Sequence, residues 1–348
     1  MKSLHRAFLS AAPSAVFMIC SQPAFSQAPQ PPVVPKSGYE VEGRPGFVIH
    51  YDATSLAWES FEARGMPAGL KRRLLSRSAS MGAVSQITYV PAGWSRPAGY
   101  HDVDTEIVVL EGDLSIGAST GAGDENLTRY SYSYLPAGVM QGPLKSRQGA
   151  VLLNWWKGEP NFVAANRDKK GARVNARVRD WNLFKSPWYV GKPFPDYRVG
   201  GNFSGAIHKL LRHDPDTGEM TWMTFGAGIP APSRQLGNFG GGYEVHPSFE
   251  EYFFPEKSND TVIGECLEQG LTQVKYGDQS YWWRPGGVGH GGPTGHGDGT
   301  AGYNISIVRT GVVLWADYVT DCSYETGLEF TGSGFRTYKY DRDKLKQK

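Results

Sequence analysis

The chain has 348 residues, of which 40% are hydrophobic and 20% charged, so it can build a globular core. Its 36 basic residues nearly balance its 34 acidic ones, and a net charge of +2 gives no reason to expect binding to nucleic acid or an anionic membrane surface. Its 44 glycines and 23 prolines interrupt long helical patterns and favour short strands joined by tight turns.

Residues 1–26 have the pattern of a secretory signal peptide. A basic start precedes an apolar stretch from Ala7 to Cys20 that is too short to span a bilayer. Small residues suit cleavage after Ser26 or Ala28, and a retained membrane anchor is the alternative. We therefore expect an exported protein, periplasmic or extracellular, with no membrane contact after cleavage.

Two cysteines, Cys266 and Cys322, remain once the signal peptide is removed. An even pair in an exported protein is typical of one disulfide. Two buried free thiols are equally consistent with the sequence.

The rest of the chain divides into two similar strand-rich parts. A proline-rich segment at 27–37 leads into short strand-like runs at 38–160, with glycine and proline between them, which is typical of a β-sandwich or barrel. Residues 161–202 are first charged and then aromatic, and we expect a linker packed on both domains. At 203–322 the first pattern returns: YLPAGV is echoed by WRPGGV, and GAVLLNWW by GVVLWADY. This internal duplication predicts two copies of one fold, followed by a polar tail at 323–348.

The second copy gathers residues that can bind a metal. Glu244 and His246 are two residues apart in a strand-like run and therefore share one face of it. Glu250 and Glu251 begin the next strand-like run, and His290 follows a Pro-Gly-Gly turn. Imidazoles and carboxylates at strand ends can hold a metal ion at the mouth of a small barrel. A satisfied polar cluster in a loop is the alternative.

The spacing of these residues resembles the two motifs of the cupin superfamily, over about residues 70–320. The run from Pro285 to His290 fits the second motif, Pro-x-Gly-x-x-His, and His246 fits the second histidine of the first motif. Glu244 stands where the family usually has its first histidine. Among cupins the chain looks most similar to bacterial bicupins of the ChrR type.

The carboxylate ligand that the resemblance implies has two candidates. Glu251 follows His246 with four residues between them, and Glu250 with three. Aligning the two copies at His101 and His246 places Glu251 opposite Glu106, so Glu251 is the predicted ligand. Glu244 is then a fourth ligand or a close neighbour.

The first copy matches the motifs less well. Gly99 replaces the first histidine, and the second motif ends at Gln141. His101, Glu106 and Gln141 make a poor site for a transition metal, which prefers imidazole. We expect a degenerate copy with a structural role, with a weak secondary metal site at these three residues as the alternative.

The resemblance implies an all-β fold of two tandem jelly-roll barrels and a divalent transition metal. Iron(II) or manganese(II) is favoured, and zinc(II) or copper(II) is the alternative. A mixed histidine and glutamate site with open positions favours a dioxygenase-like oxidoreductase, with Glu244 or Glu250 as general base. Two glutamates would already balance the charge of the metal, so a small neutral enol, phenol or sugar-like substrate is favoured.

Two other classes of function stay open. One is a non-redox cupin isomerase, lyase or hydrolase, and the other is a non-enzymatic cupin that binds a metal or ligand. The expected partner is a small molecule and not nucleic acid, and a homo-oligomer is left open.

Overall fold

The computed structural model describes residues 39–40, 49–78, 82–117, 124–180, 182–185, 189–190, 206–214, 219–226, 243–245, 250–255, 262–267, 270–275, 279–284, 289–291, 302–308, 314–316, 329–331 and 337–339. Side chains are described at 52–78, 82–117, 124–179, 182–185, 209–214, 219–223, 250–255 and 279–284. In these ranges the regular elements are β-strands and two single-turn 3-10 segments, Ala53–Ser55 and Val174–Ala176. None of the helices described there is long and apolar enough to cross a membrane.

Strands up to residue 180 are β1 Tyr39–Glu40, β2 Ile49–Asp52, β3 Glu59–Ser60, β4 Lys71–Arg77, β5 Val84–Val90, β6 Ser95–Arg96, β7 Gly99–His101, β8 Thr105–Gly112, β9 Leu114–Ile116, β10 Glu125–Leu127, β11 Tyr132–Leu135, β12 Leu144–Lys145, β13 Ala150–Trp156, β14 Phe162–Ala164 and β15 Val178–Asp180. We call the part from β4 to β14 the first barrel.

Later strands are β16 Tyr189–Val190, β17 Ala206–His213, β18 Met220–Gly226, β19 Tyr243–Val245, β20 Glu250–Phe253, β21 Val262–Leu267, β22 Gly270–Lys275, β23 Ser280–Arg284, β24 Gly289–Gly291, β25 Gly302–Val308, β26 Leu314–Ala316, β27 Glu329–Thr331 and β28 Thr337–Lys339. We call the part from β17 to β26 the second barrel.

Each barrel is built on one large sheet, and the two sheets have the same strand order. The first runs β1-β4-β5-β13-β8-β11-β15, with β3 added to β4, and the second runs β16-β17-β18-β25-β20-β23-β2. Position by position, β4 corresponds to β17, β8 to β20 and β13 to β25. Smaller sheets complete the barrels: β10-β9-β12-β6 and β14-β7 in the first, β24-β19-β26 and β21-β22 in the second.

A shared β-bulge shows that the duplication extends to local geometry. The β4–β5 register shifts between Leu74 and Ser76, and the β17–β18 register shifts between Leu210 and Arg212. The extra residue is Leu75 in one barrel and Leu211 in the other, and both are buried. A bulge bends and twists the strand, so both large sheets curve at the same place.

The large sheets are buried on both faces. One face of each carries a core that residues of both barrels share: Leu75, Ile87, Val108, Leu110, Tyr132, Tyr134, Leu153, Trp155, Leu211, Met223, Phe253, Tyr281 and Trp283 among others. The other face of the first sheet lines the interior of the first barrel, with Val84, Ile107, Val109, Leu152 and Trp156 among others. A residue on these strands therefore faces either the contact between the barrels or the interior of its own barrel.

Short strands from outside each barrel close the edges of the large sheets. β2 lies within the range predicted for the first domain, yet it pairs with β23 and completes the second sheet. β15 and β16 lie within the range predicted for the linker, and pair with β11 and β17 respectively. Covering an edge strand in this way removes a row of unpaired main-chain groups. The domain boundaries themselves stay predictions.

The ends of the chain fall mostly outside the described residues, as do residues 1–26, where the signal peptide is predicted. Within 323–348 the structure describes one antiparallel pair, β27 with β28.

Candidate functional site

Two of the predicted metal ligands come from distant parts of the sequence and meet in the β19–β24 pair. Glu244 on β19 is directly opposite His290 on β24. Residues directly opposite each other in an antiparallel pair are neighbours on one face of the sheet. His246 follows β19 at once but lies outside the described residues, so its part in the site stays a prediction.

The first barrel makes the equivalent main-chain pair with different residues. The Gly99 N–H donates to the Gln141 carbonyl at 3.0 Å, and the Gln141 N–H donates to the Gly99 carbonyl at 2.8 Å. Gly99 and Gln141 are therefore the structural counterparts of Glu244 and His290. In both barrels the first-motif position pairs with the last position of the second motif. Residues that can bind a metal, a glutamate and a histidine, occupy this pair in the second barrel, whereas glycine and glutamine occupy it in the first.

A side chain at position 99 has no room in the first barrel. A Cβ atom built there would meet the main-chain oxygen of Val163 and would lie 2.5 Å from the Phe162 ring. Both belong to β14, which pairs with β7 across this point. The strand that covers Gly99 thus excludes a first-motif ligand at this position.

Glu251, the predicted carboxylate ligand, lies on the face of β20 that contacts the first barrel. Its carboxylate accepts a hydrogen bond from the Tyr281 hydroxyl at 2.8 Å and one from the Ser85 hydroxyl, and the Ser76 hydroxyl is 3.5 Å away. Glu251 would have to leave these hydroxyls to reach a metal inside the second barrel. The role of Glu251 as a metal ligand stays a prediction, and the position of its carboxylate against these hydroxyls does not favour that role.

Glu106 occupies the equivalent position on β8, as the alignment of the two copies predicts. Its carboxylate accepts hydrogen bonds from the Tyr132 hydroxyl at 2.8 Å, the Thr221 hydroxyl at 2.6 Å and the Arg212 guanidinium at 3.0 Å. Arg212 is also 3.1 Å from Glu219. The carboxylate of Glu106 therefore faces the second barrel and takes part in the contact between the two halves.

This buried charge cluster shifts the pKa values of its members. Burial raises the pKa of the Tyr132 hydroxyl well above its ordinary value, and the charge of Glu106 raises it further. Burial alone would lower the pKa of Arg212, but the carboxylates of Glu106 and Glu219 raise it overall. The cluster is thus a charged arginine held between two carboxylates, with a tyrosine that stays protonated.

Glu250 lies on the opposite face of β20, toward the interior of the second barrel. It forms a buried ion pair with Arg284, whose guanidinium lies 4.9 Å from the centre of the Tyr252 ring and donates to its hydroxyl at 3.0 Å. Tyr252 stacks on Trp282, with ring centroids 5.7 Å apart and planes at 8°. The interior of this barrel therefore combines a carboxylate, a guanidinium and flat aromatic faces.

The first barrel holds Arg96 where the second barrel has its predicted ligands. Arg96 donates to the main-chain oxygen of Pro97 at 3.1 Å and to Oε1 of Gln141, and it lies 4.4 Å from the centre of the Phe162 ring. Burial lowers the pKa of Arg96 to about 9, so it remains a cation at neutral pH. Burial, and next the charge of Arg96, lower the pKa of His101 to about 3.

These placements separate the three residues predicted as a weak secondary metal site. Glu106 faces the second barrel, whereas His101 and Gln141 lie beside Arg96. A cation at this point also opposes the binding of a second cation. Within the described ranges, no three His, Cys, Asp or Glu side chains form a group that could hold a metal.

Among the side chains that the structure describes, sequence reasoning missed three buried arginines, Arg96, Arg212 and Arg284. Arg96 lies three residues before Gly99, the position of the missing first-motif histidine, and Arg284 directly precedes the second motif. For Arg284 the available signal was a charged residue at the end of an apolar, aromatic strand, because such charges are rarely buried unless they are paired or bind a ligand.

Comparison with solved structures shows the fold. A candidate dioxygenase from Nostoc punctiforme PCC 73102 has a TM-score of 0.61 and 22% identity, over 82% of this chain and 93% of that one. YlbA from Escherichia coli, of family DUF861, has a TM-score of 0.48 and 13% identity, over 76% and 92%. A variant of Bacillus subtilis oxalate decarboxylase has a TM-score of 0.45 and 10% identity, over 76% and 78%. The first of these structures shares the fold of this chain and, together with the strand order of the two large sheets, confirms the predicted all-β fold of two tandem jelly-roll barrels.

Comparison of the sequence itself finds no match among proteins of curated function. A family match covers residues 49–231, which is a little over half of the 348 residues. The match includes the whole first barrel and the first hairpin of the second. The chain therefore belongs to the family described as a domain of unknown function, DUF4437.

Proposed function

We propose that this protein is a metal-dependent cupin enzyme, a dioxygenase-like oxidoreductase whose metal is held in the second barrel by Glu244, His246 and His290. The observation that supports this most is the repeated register of the two motifs. Both barrels pair a first-motif position with a second-motif position, but the residues are Gly99 and Gln141 in one and Glu244 and His290 in the other. The finer likeness to ChrR-type bicupins is part of this proposal.

The donor set fits a divalent transition metal. Two imidazoles and a carboxylate suit iron(II) or manganese(II), with zinc(II) or copper(II) as alternatives, and leave coordination positions open. When bound, such a metal supplies a Lewis acid for a substrate oxygen and, if it is iron or manganese, a redox centre. Glu250 is the better placed of the two neighbouring carboxylates to lie near it, because Glu251 faces the first barrel.

Glu250 also has the features of a general base. Arg284 holds its carboxylate in position inside the barrel, where the carboxylate can accept the proton of a substrate hydroxyl. Glu244 is the alternative base. Charge-assisted hydrogen bonds of the Arg–carboxylate type are short and directional, so the base is fixed before substrate arrives.

The substrate class follows from the residues around this pair. The buried rings of Tyr252 and Trp282 stack on each other and make the surroundings of this pair aromatic and apolar, which supports an enol, a phenol or a sugar ring as the substrate. The negative charge of Glu250 is already balanced by Arg284. A neutral substrate is therefore favoured over a strongly acidic one.

Export to the periplasm or outside, and a role for one small-molecule substrate, belong to the same proposal. They rest on the signal-like residues 1–26 and on the interior residues of the second barrel.

Metal analysis of the purified mature protein tests the site. We expect about one divalent metal per chain in the wild type, and its loss in His290→Ala. The matched control is Gln141→Ala, which changes the equivalent position of the first barrel and should leave the metal content unchanged. If His290→Ala keeps its metal, the proposed site is wrong.

An oxygen electrode then separates the three classes of function, using phenols and diketones as trial substrates. Oxygen consumption supports the dioxygenase. Loss of the trial substrate without oxygen uptake supports an isomerase, lyase or hydrolase. Metal binding with no turnover supports a binding protein.

A further inference from the structure

Arg96 is a buried cation whose hydrogen-bond acceptors are both neutral. The residue is 4% exposed, and it donates to the Pro97 carbonyl and to the Gln141 side-chain oxygen. In the described part of the chain no carboxylate forms an ion pair with it. A buried charge without a counter-charge destabilises the folded protein unless a ligand supplies the opposite charge.

The other two buried arginines show how this protein otherwise treats such a charge. Arg212 contacts the carboxylates of Glu106 and Glu219, and Arg284 contacts that of Glu250. Arg96 differs from both, although its burial is similar. Among the buried arginines of the described ranges, Arg96 is therefore the one without a carboxylate partner.

Two polar atoms next to Arg96 also lack partners. Nδ1 of His101 and Nε2 of Gln141 are shielded from solvent and have no hydrogen-bond partner among the residues that the structure describes. Because Gln141 turns its oxygen to Arg96, its amide nitrogen is available as a donor in another direction. His101 lies on β7, two residues from Gly99, which pairs with Gln141. A cation and two unsatisfied nitrogens thus occur together at the first-barrel counterpart of the proposed metal site.

We propose that the first barrel binds a small carboxylate, with Arg96 as its counter-charge and the side chains of Gln141 and His101 as further hydrogen-bond partners. The planar guanidinium matches a carboxylate in shape and charge. One arginine supplies one positive charge, which balances a monovalent carboxylate and not a phosphate dianion. The site is separate from the proposed metal site and does not depend on it.

This inference explains two departures of the first barrel from the cupin motifs. Gly99 brings β14 close, so that Phe162 packs against both Arg96 and His101. Gln141 replaces a histidine by a side chain that can accept from arginine and donate to an anion at the same time. The first barrel has then exchanged metal-binding residues for anion-binding ones.

Isothermal titration of the full mature chain with acetate, pyruvate and benzoate, at constant ionic strength, tests the proposal. At least one carboxylate should bind with a stoichiometry of about one per chain. Arg96→Gln should weaken its binding by about tenfold to a hundredfold, the effect of losing a charge-assisted hydrogen bond. Arg147→Gln, a change of an exposed arginine in the same barrel, should leave the affinity unchanged.

Arg96→Lys keeps the charge and removes the planar guanidinium, so it should bind more weakly than the wild type and more tightly than Arg96→Gln. It replaces Arg96→Gln if that variant fails to fold. Inorganic phosphate, titrated in parallel, should not bind. No binding of any carboxylate by the wild type, equal affinity in the Arg96 variants, or binding of phosphate alone would each overturn the proposal.

Discussion

Glu106 and Glu251 allow a direct test of what holds the two barrels together, because they are equivalent carboxylates with unequal partners. Each accepts a hydrogen bond from a tyrosine on the neighbouring strand, at 2.8 Å in both cases. Glu106 also pairs with Arg212 of the other barrel, at 3.0 Å, whereas Glu251 meets only hydroxyl groups among the described residues. We therefore compare the loss of unfolding free energy caused by Glu106→Gln with the loss caused by Glu251→Gln.

The expected costs follow from these partners. Removing one member of a buried ion pair costs about 3–5 kcal/mol. Arg212 keeps Glu219 at 3.1 Å, so Glu106→Gln should lower the free energy of unfolding by about 3 kcal/mol, toward the low end of that range. In Glu251→Gln the hydroxyl donors can still bond to the amide oxygen and no cation loses its partner, so the cost should be about 1 kcal/mol or less.

The assay is urea unfolding of the mature protein at neutral pH, followed by tryptophan fluorescence and by circular dichroism. Residues of both barrels share one core, so we expect the two signals to change together. A double-mutant cycle of Glu106→Gln with Arg212→Met should give a coupling free energy of about 2 kcal/mol. Equal costs for the two glutamine variants, or no coupling to Arg212, would refute the reasoning.

Three further predictions concern the metal, the pH dependence and the cysteines. Glu251→Gln should keep its bound metal, and loss of metal in atomic analysis would show instead that Glu251 is the ligand that the sequence favours. The pKa of His101 is about 3 when folded and about 6.5 when unfolded. Between these values the unfolded chain binds the extra proton, so stability should fall as pH falls, by up to about 1.4 kcal/mol per pH unit. His101→Asn should reduce this slope in acid unfolding. Thiol titration of the exported protein should find no free thiol if Cys266 and Cys322 are joined, and two free thiols would exclude the disulfide.

Much of the fold was predictable because it depends on local patterns. Alternating residues and glycine or proline turns mark the strands, and the repeated segments mark two copies of one barrel. The motif spacings also assigned Glu244 and His290 to one site and matched Gly99 and Gln141 to the same motif positions in the first copy, and the structure pairs the two members of each set. The counterpart positions of Glu106 and Glu251 follow from the same alignment.

Other features depend on contacts between distant segments and had no local signal. The pairing of β2 with β23 joins residues more than two hundred positions apart. It forms because β23 without β2 would be at the edge of the second sheet and would have unpaired main-chain groups there, which the sequence of β2 does not reveal. The ion pair of Arg212 with Glu106 likewise exists because two sheets from different barrels meet.

The clearest limit concerns Glu250 and Glu251. Alternation along β20 requires that these neighbours face opposite sides of the sheet, and the sequence by itself determined that much. It could not determine which side each one takes, because both faces of the large sheets are buried and hydrophobicity then carries no inward or outward signal. Only the packing of one barrel on the other decided that Glu251 meets Ser85 across the contact and that Glu250 meets Arg284 inside the barrel.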